Sequence, residues 1–467
     1  MTDVTNSREL ALEILLEILE KGGYSHVVLR QALGKYQYLS KQDRAFLTRV
    51  TEGTLEYLIQ IDWVLNQYSK TKVQKMKPVI RTILRMSVYQ ILYMDRIPDS
   101  AACNEAVKLA GKRKFSGLKG FVNGVLRSVA REKENLLREL SEELASCPQS
   151  EHGRASIRYS VPEWLLAMWI QELGWEQTRE VLSAFLAAGE TTVRCNGNLA
   201  EKSRILESLT GQGVLCRESI YSEKVLTISG YDYLESLEAF QNGWIQVQDL
   251  SSVLAGDAAA PKTGDYVIDV CAAPGGKSLH VADMLKGTGM VEARDLTWQK
   301  VELIQENIQR TGFDNIRARQ QDALELDEES IEQADILLAD LPCSGLGIIG
   351  KKPDIKIHMT PEKLESLVTL QRDILSVVWQ YVKPGGTLVY STCTIHKEEN
   401  QDNVAWLLQH FPLEPVDITG RFGPLIQDAS LKEGWMQFLP GKHPCDGFFV
   451  AVLRRKPVSS WENQRKS

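Results

Sequence analysis

Nowhere in the 467 residues do apolar side chains run on for the roughly 18 positions a membrane-crossing helix needs, so no spanning segment is expected. The start, Met1-Thr2-Asp3-Val4-Thr5, lacks the basic-then-apolar pattern of an export leader. The eight cysteines include no C-x-x-C pair, which removes the usual zinc signature and leaves no metal expected. Free thiols without a disulfide framework fit a reducing compartment, so a cytoplasmic setting is expected. There is no internal repeat and no low-complexity tract. What remains, 43% apolar and 25% charged, describes a globular chain with ample core, too long for one domain.

The net charge of −7 conceals a division. Residues 1–135 hold 22 Lys and Arg against 14 Asp and Glu, a net of +8, and the remainder holds 32 against 47, a net of −15. Two runs in the basic part contain no acid: Lys70, Lys72, Lys75, Lys77, Arg81 and Arg85, then Lys108, Lys112, Arg113, Lys114, Lys119, Arg127 and Arg131. Such runs are an electrostatic footprint for a phosphate backbone, although a solvated helix face gives the same pattern.

Hydrophobic spacing predicts a helical domain over 1–135, with helices from Leu10 to Leu19, Lys41 to Gln67, Lys77 to Met94, Ser100 to Gly111 and Ser116 to Arg131. Residues 136–240 are expected to form a linker and a small α+β subdomain, with strands at Thr191 to Cys195 and Val225 to Ser229. From 241 to 455 strands alternate with helices, the signature of an α/β doubly wound parallel sheet. Its strands are read near Tyr266–Val270, Gly289–Arg294, Ile316–Gln320, Ile336–Ala339, Gly386–Tyr390 and Gly447–Leu453. Residues 456–467 read as a polar tail.

In such a sheet, ligands bind beyond the carboxyl ends of the strands. Three strand ends there carry chemistry. The first leads into Cys271-Ala272-Ala273-Pro274-Gly275-Gly276-Lys277, where two glycines allow close approach and a helix N-terminus suits a carboxylate. The turn is not Gly-x-Gly-x-x-Gly, so a dinucleotide is not the first expectation. Asp295, 19 residues past Gly276, ends the next strand and can accept ribose hydroxyls. Asp322 follows the third strand and is placed for an adenine edge. Gln248-Asp249 is a candidate support for this pocket.

The other two strand ends are Asp340-Leu341-Pro342-Cys343-Ser344-Gly345 and Tyr390-Ser391-Thr392-Cys393-Thr394. A lone buried cysteine is ordinarily a small hydrophobe. A pair at the mouth of one cleft instead fits covalent chemistry on a pyrimidine. A thiolate added at C6 makes C5 nucleophilic enough to take an electrophilic methyl group, Asp340 can meet the pyrimidine edge, and the second thiol can assist proton removal and release. These residues do not say which thiol does which. His443-Pro444-Cys445 lacks further ligands at suitable spacing and reads as a structural loop. Lys351-Lys352-Pro353-Asp354 reads as an RNA-backbone contact or a solvated turn.

These motifs, with Glu398-Glu399-Asn400 and Asp446-Gly447-Phe448-Phe449, resemble the S-adenosylmethionine-dependent cytosine-5 RNA methyltransferases over residues 240–453. Asp43-Arg44-Ala45-Phe46, Arg85-Met86-Ser87-Val88-Tyr89-Gln90 and Val122-Asn123-Gly124-Val125-Leu126-Arg127 resemble the helical RNA-binding domain of NusB-type factors. The combination is similar to the Fmu/Sun-type methyltransferases of bacterial 16S ribosomal RNA. The resemblance implies an all-α NusB-like domain joined to a Rossmann-like methyltransferase domain, methylating a cytosine in 16S RNA, free or partly assembled. It implies S-adenosylmethionine held by Cys271 to Lys277, Asp295, Asp322 and Asp340, with Cys393 as nucleophile and Cys343 as release cysteine. Arg294 departs from the apolar residue expected before Asp295. A monomer is expected because no apolar stripe is left over. Two rivals stay open: a DNA cytosine-5 methyltransferase, which would use Cys343 as nucleophile, and an RNA-binding factor without catalysis.

Overall fold

A computed structural model describes residues 7–457 except 37–38, 143, 188 and 423. The tail read at 456–467 lies almost wholly outside the described residues. Contacts divide the chain into two units, the described residues up to 187 with Ile349–His358, and residues 189–348 with those from Met359 onward.

The first unit is all helical. The pattern read from Lys41 to Gln67 is two helices, Lys41–Glu56 and Leu58–Tyr68, broken at Tyr57. Helices Ser7–Lys21, Pro78–Tyr93, Asp99–Lys112 and Lys119–Arg131 turn their apolar stripes onto one core, in which Leu15, Ile18, Ile83 and Leu126 are fully buried. The helix Ser25–Lys35 escaped the reading, and the stretch at 132–160, read as a linker or connecting helix, holds two helices, Lys133–Ser141 and His152–Tyr159. Helices Glu163–Leu173 and Trp175–Leu186, assigned from sequence to the middle subdomain, group with this unit. So does Ile349–His358: Asp354 accepts hydrogen bonds from the backbone N–H and hydroxyl of Ser25, and the buried Lys356 Nζ donates to the Glu56 carbonyl at 2.6 Å. Neither reading of Lys351 to Asp354 foresaw this, because the partners lie about three hundred residues away in sequence.

Some cations of both acid-free basic runs are neutralised by distant acids. Arg81 pairs with Glu20 at 2.5 Å, Arg85 is bidentate to Asp62, and Lys112 and Arg113 reach Glu9 and Glu13. Lys70, Lys72, Lys75 and Lys77, between two helices, make no ion pair among the described residues.

The second unit holds two sheets. Strands β1 (Thr191–Cys195), β2 (Leu215–Glu218), β3 (Val225–Ser229) and β4 (Ile245–Val247) form an antiparallel sheet in the order β2-β3-β1-β4. With helices Lys202–Gly211 and Glu238–Gln241 this is a β-α-β-β-α-β arrangement. The face under these helices is apolar, with Val193, Leu226, Ile228 and Ile245 buried, and the opposite face is polar: Arg194, fully buried, donates to Gln248 at 2.9 Å and lies 3.6 Å from Asp283.

The large sheet runs β10-β12-β9-β8-β5-β6-β7, with β11 (Trp435–Phe438) paired to β12. Its strands are β5 (Tyr266–Asp269), β6 (Met290–Asp295), β7 (Ile316–Gln320), β8 (Ala334–Asp340), β9 (Val382–Thr392), β10 (Leu413–Pro415) and β12 (Phe448–Arg455). β5 to β9 are parallel, and β12 enters antiparallel between β9 and β10. Continuous apolar runs suit strands covered on both faces. Along β8, Ile336 and Leu338 enter the core beneath helices Leu250–Ala259 and Gly276–Met284, while Leu337 and Ala339 enter the one beneath Pro361–Val378.

Candidate active site

β5 delivers Asp269, and a turn leads into the helix Gly276–Met284. Gly275 sits at φ +100°, a left-handed conformation that a side chain would strain. A Cβ on Gly276 would meet nothing nearer than Gln248 Cδ at 3.9 Å, so this backbone fronts open space. That space is a cavity of about 150 Å³. Ala272, Ala273, Pro274, Gly276, Lys277 and Asp340 line it, opposite Gln246 to Asp249 of the small sheet. Cys271 instead packs against the core beneath, where burial pushes its thiol up. Asp249 caps the helix Leu250–Ala259 by accepting from Ser251 N–H.

Asp269 also lines the cavity, and burial pushes its carboxyl up to about 7. Its Oδ2 accepts from the Ser278 hydroxyl at 2.6 Å, whereas its buried Oδ1 has no hydrogen-bond partner among the described residues. A buried acceptor left open costs free energy unless a ligand satisfies it. The first N–H groups of a helix have no intrahelical acceptor. An ammonium for Asp269 and a carboxylate for the helix start are the two ends of an amino-acid group, so the residues present fit the amino-acid portion of S-adenosylmethionine.

Asp295 ends β6 and is buried. Its Oδ2 accepts from Ala273 N–H at 2.9 Å, and its Oδ1 accepts from Leu296 N–H and Lys300 Nζ. It thus braces the glycine turn. Asp322 follows beside it, its neighbour Gln321 donating to the Asp295 carbonyl, and accepts from Leu324 N–H. Neither aspartate lines the cavity that Lys277 and Asp340 share.

Asp340 ends β8 and is held from two sides. Lys277 Nζ lies 2.6 Å from Oδ2, and the Ser391 hydroxyl donates to Oδ1 at 2.8 Å. Lys277 also stands 4.8 Å from the centre of the Phe448 ring, a cation–π contact that fixes its direction. Because β8 and β9 pair in register, with Asp340 opposite Ser391, the segments after them run side by side. They bring Cys343 Sγ to 3.3 Å from Cys393 Sγ. Both thiols are half-buried. The hydrogen bond with Cys393, and then burial, push the Cys343 thiol well up. The Pro-Cys loop is pinned further on, where Gly347 N–H donates to the Cys393 carbonyl and Gly447 N–H donates to Gly347. A Cβ on Gly347 would lie 2.0 Å from the Gly447 oxygen, so this crossing requires glycine.

The chain matches the model of the family described as 16S rRNA methyltransferase RsmB/F over residues 257–454, and that of the NusB family over residues 5–131. It is 36% identical over 460 residues to the probable ribosomal RNA small subunit methyltransferase B of Bacillus subtilis, which spans 97% of this chain and 99% of the relative. The chain belongs to the RsmB/F family of 16S rRNA methyltransferases. The ribosomal RNA small subunit methyltransferase B of Klebsiella pneumoniae is 32% identical, over 97% of this chain and 98% of the relative. Among solved structures, that of PH0851 aligns with a TM-score of 0.78 at 26% identity, over 95% of this chain and 98% of that one. A methyltransferase homolog from Pyrococcus horikoshii gives 0.55 at 25% identity, over 65% and 98%. The expected pairing of a NusB-like helical domain with an α/β methyltransferase domain holds.

Sequence reasoning did not single out Asp269, which lines the cavity, and missed the scaffold of the two cysteine loops. Glu399 is fully buried. Its Oε2 accepts from Ser344 N–H and Gln371 Nε2, both at 2.9 Å, and its Oε1 accepts from the Ser344 hydroxyl. Asn400, also buried, accepts from the Thr392 hydroxyl and donates to the Thr394 carbonyl at 3.0 Å, bracketing Cys393. The one available signal was the Glu398-Glu399-Asn400 motif, to which no role had been attached. His443 Nδ1 accepts from Leu439 N–H at 3.0 Å, a loop contact.

Proposed function

We propose that this family member methylates C5 of a cytosine in 16S ribosomal RNA through a covalent bond between Cys393 and C6. The observation that supports this most is the thiol pair 3.3 Å apart, next along the chain from Asp340 and its cavity. Cytosine C5 is a poor nucleophile until a thiolate adds to C6. Cys393 supplies that electron pair, and Asp340, aimed by Lys277 and Ser391, meets the pyrimidine edge. S-adenosylmethionine, when bound, supplies the electrophilic methyl group. Asp269 and the helix start at Gly276 would hold its amino-acid end, and the turn from Cys271 to Lys277 would lie beside it, with Ala272, Ala273 and Pro274 as the wall. Asp295 and Asp322, at the ends of the next two strands, would meet its ribose and adenine.

After C5 is methylated, its proton leaves to a base and the C6–S bond breaks. The electron pair returns to the Cys393 sulfur. Cys343, kept protonated by its hydrogen bond to Cys393 and by burial, stands where its S–H can donate to that departing sulfur. The target base must leave its stack before C6 can be reached. Lys70, Lys72, Lys75 and Lys77 of the NusB-like unit are the cations we assign to the RNA backbone.

Adduct trapping tests this order of roles. Unmethylated 16S RNA and S-adenosylmethionine are mixed with wild type, Cys343→Ala and Cys393→Ala, then run on a denaturing gel. A slow RNA–protein band should build up with Cys343→Ala and be missing with Cys393→Ala. The reverse pattern would make Cys343 the nucleophile, the order of DNA cytosine-5 enzymes, and overturn the proposal.

A further inference from the structure

We propose that Glu399 is a positioning residue that sets the Cys343 sulfur against the Cys393 sulfur, and so governs release of the covalent adduct more than its formation. The inference rests on the roles proposed above for the two thiols. Glu399 touches neither sulfur. It lies 55 residues along the chain from Ser344 and 28 from Gln371, yet both donate to it. Its side chain is fully buried; both oxygens accept from Ser344, next to Cys343, and Oε1 also lies 3.3 Å from His396 Nδ1, three residues past Cys393.

Gln371 completes the clamp. Its Nε2 donates to Glu399 Oε2 and to the Pro342 carbonyl, each at 2.9 Å. The residues before and after Cys343 are therefore both tied to the Gln371–Glu399 pair. Asn403 Nδ2 donates to Gln371 Oε1 at 2.8 Å, which fixes which end of that amide faces Glu399. The Ser344 hydroxyl, 2.8 Å from Thr394 Oγ1, carries the clamp across to the residue after Cys393.

The two cysteines are not held alike. The Cys343 backbone hangs on Glu399 through Ser344 and on Gln371 through Pro342. Cys393 directly follows the paired strand β9 and is bracketed on both sides by Asn400, and Glu399 reaches its loop only further on, at Thr394 through Ser344 and at His396. Disturbing Glu399 should displace Cys343 first. A misplacement of about 1 Å costs a catalytic step about 100-fold. Glu399→Gln is nearly isosteric, but it puts an amide NH2 where an oxygen accepts donors.

The experiment uses the full chain with unmethylated 16S RNA and S-adenosylmethionine, reading trapped adduct and turnover together. Glu399→Gln should lower turnover by about 100-fold while trapped adduct rises, as with Cys343→Ala. Ser344→Ala, which keeps its N–H bond to Glu399, should show the same pattern more weakly, and it carries the test if Glu399→Gln fails to fold. A purely structural role would lower adduct and turnover in parallel, and that result would overturn the inference. If Cys343→Ala itself traps nothing, the thiol roles are wrong. If it traps adduct and neither Glu399→Gln nor Ser344→Ala does, the roles stand and Glu399 does not position Cys343.

Discussion

Arg294 shows what a single residue can hide. From sequence it interrupts an apolar strand. In the fold it is buried beside an equally buried Glu292, 2.5 Å away, with Asp327 at 3.2 Å and the Ser330 hydroxyl at 2.6 Å. One face of β6 is thus a salt-bridged core rather than an apolar one. Removing one member of such a set leaves buried charge uncompensated, so Arg294→Leu should destabilise the catalytic unit by about 3–5 kcal/mol. Arg317 and Arg319 still face Glu292, which favours the lower end. Chemical unfolding of wild type and variant reads the difference, and an unchanged midpoint would contradict the account. That Cys343, Cys393, Asp340 and the glycine turn gather at one end of the sheet was legible because each follows an apolar run that reads as a parallel strand. Glu399 was not, because Glu398-Glu399 looks like any solvated pair until Ser344 and Gln371 arrive from elsewhere in the chain.

Among elements, the long strands of the large sheet were legible from their apolar runs. β2, β4, β10 and β11 were not: each has three or four residues and, unlike the equally short β5, no glycine-rich turn beyond it to mark a strand end. Helix packing hides a titration as well. His280 of the helix Gly276–Met284 is fully buried against Gly256, where a Cβ would lie 2.2 Å from its Nδ1. Burial, followed by the nearby Arg194, pushes His280 down to about 4, against the pull of Asp257 at 3.2 Å; Lys224 also faces it. In the unfolded chain a histidine titrates near about 6.5, so between that pH and about 4 the unfolded state binds the extra proton. Stability from this site is present above pH 6.5 and falls as the pH drops towards 4. His280→Gln should flatten the melting temperature over that window, and parallel curves for the two proteins would count against it.

At the scale of the whole molecule, the charge asymmetry was legible and its consequence only partly so. The basic N-terminal part matches the NusB family, but several of its cations are spent on its own acids, while Lys70 to Lys77 make no ion pair among the described residues. The inclusion of Ile349–His358 in that unit was illegible, since no local pattern reports a partner three hundred residues away. The central claim is methylation at cytosine C5 in 16S RNA, and nucleoside mass spectrometry tests it most directly. Unmethylated 16S RNA would be treated with the full chain and S-adenosylmethionine carrying a labelled methyl group, then digested to nucleosides. The account predicts label in 5-methylcytidine and none with Cys393→Ala. Label on N4, on a ribose oxygen or on another base would contradict it.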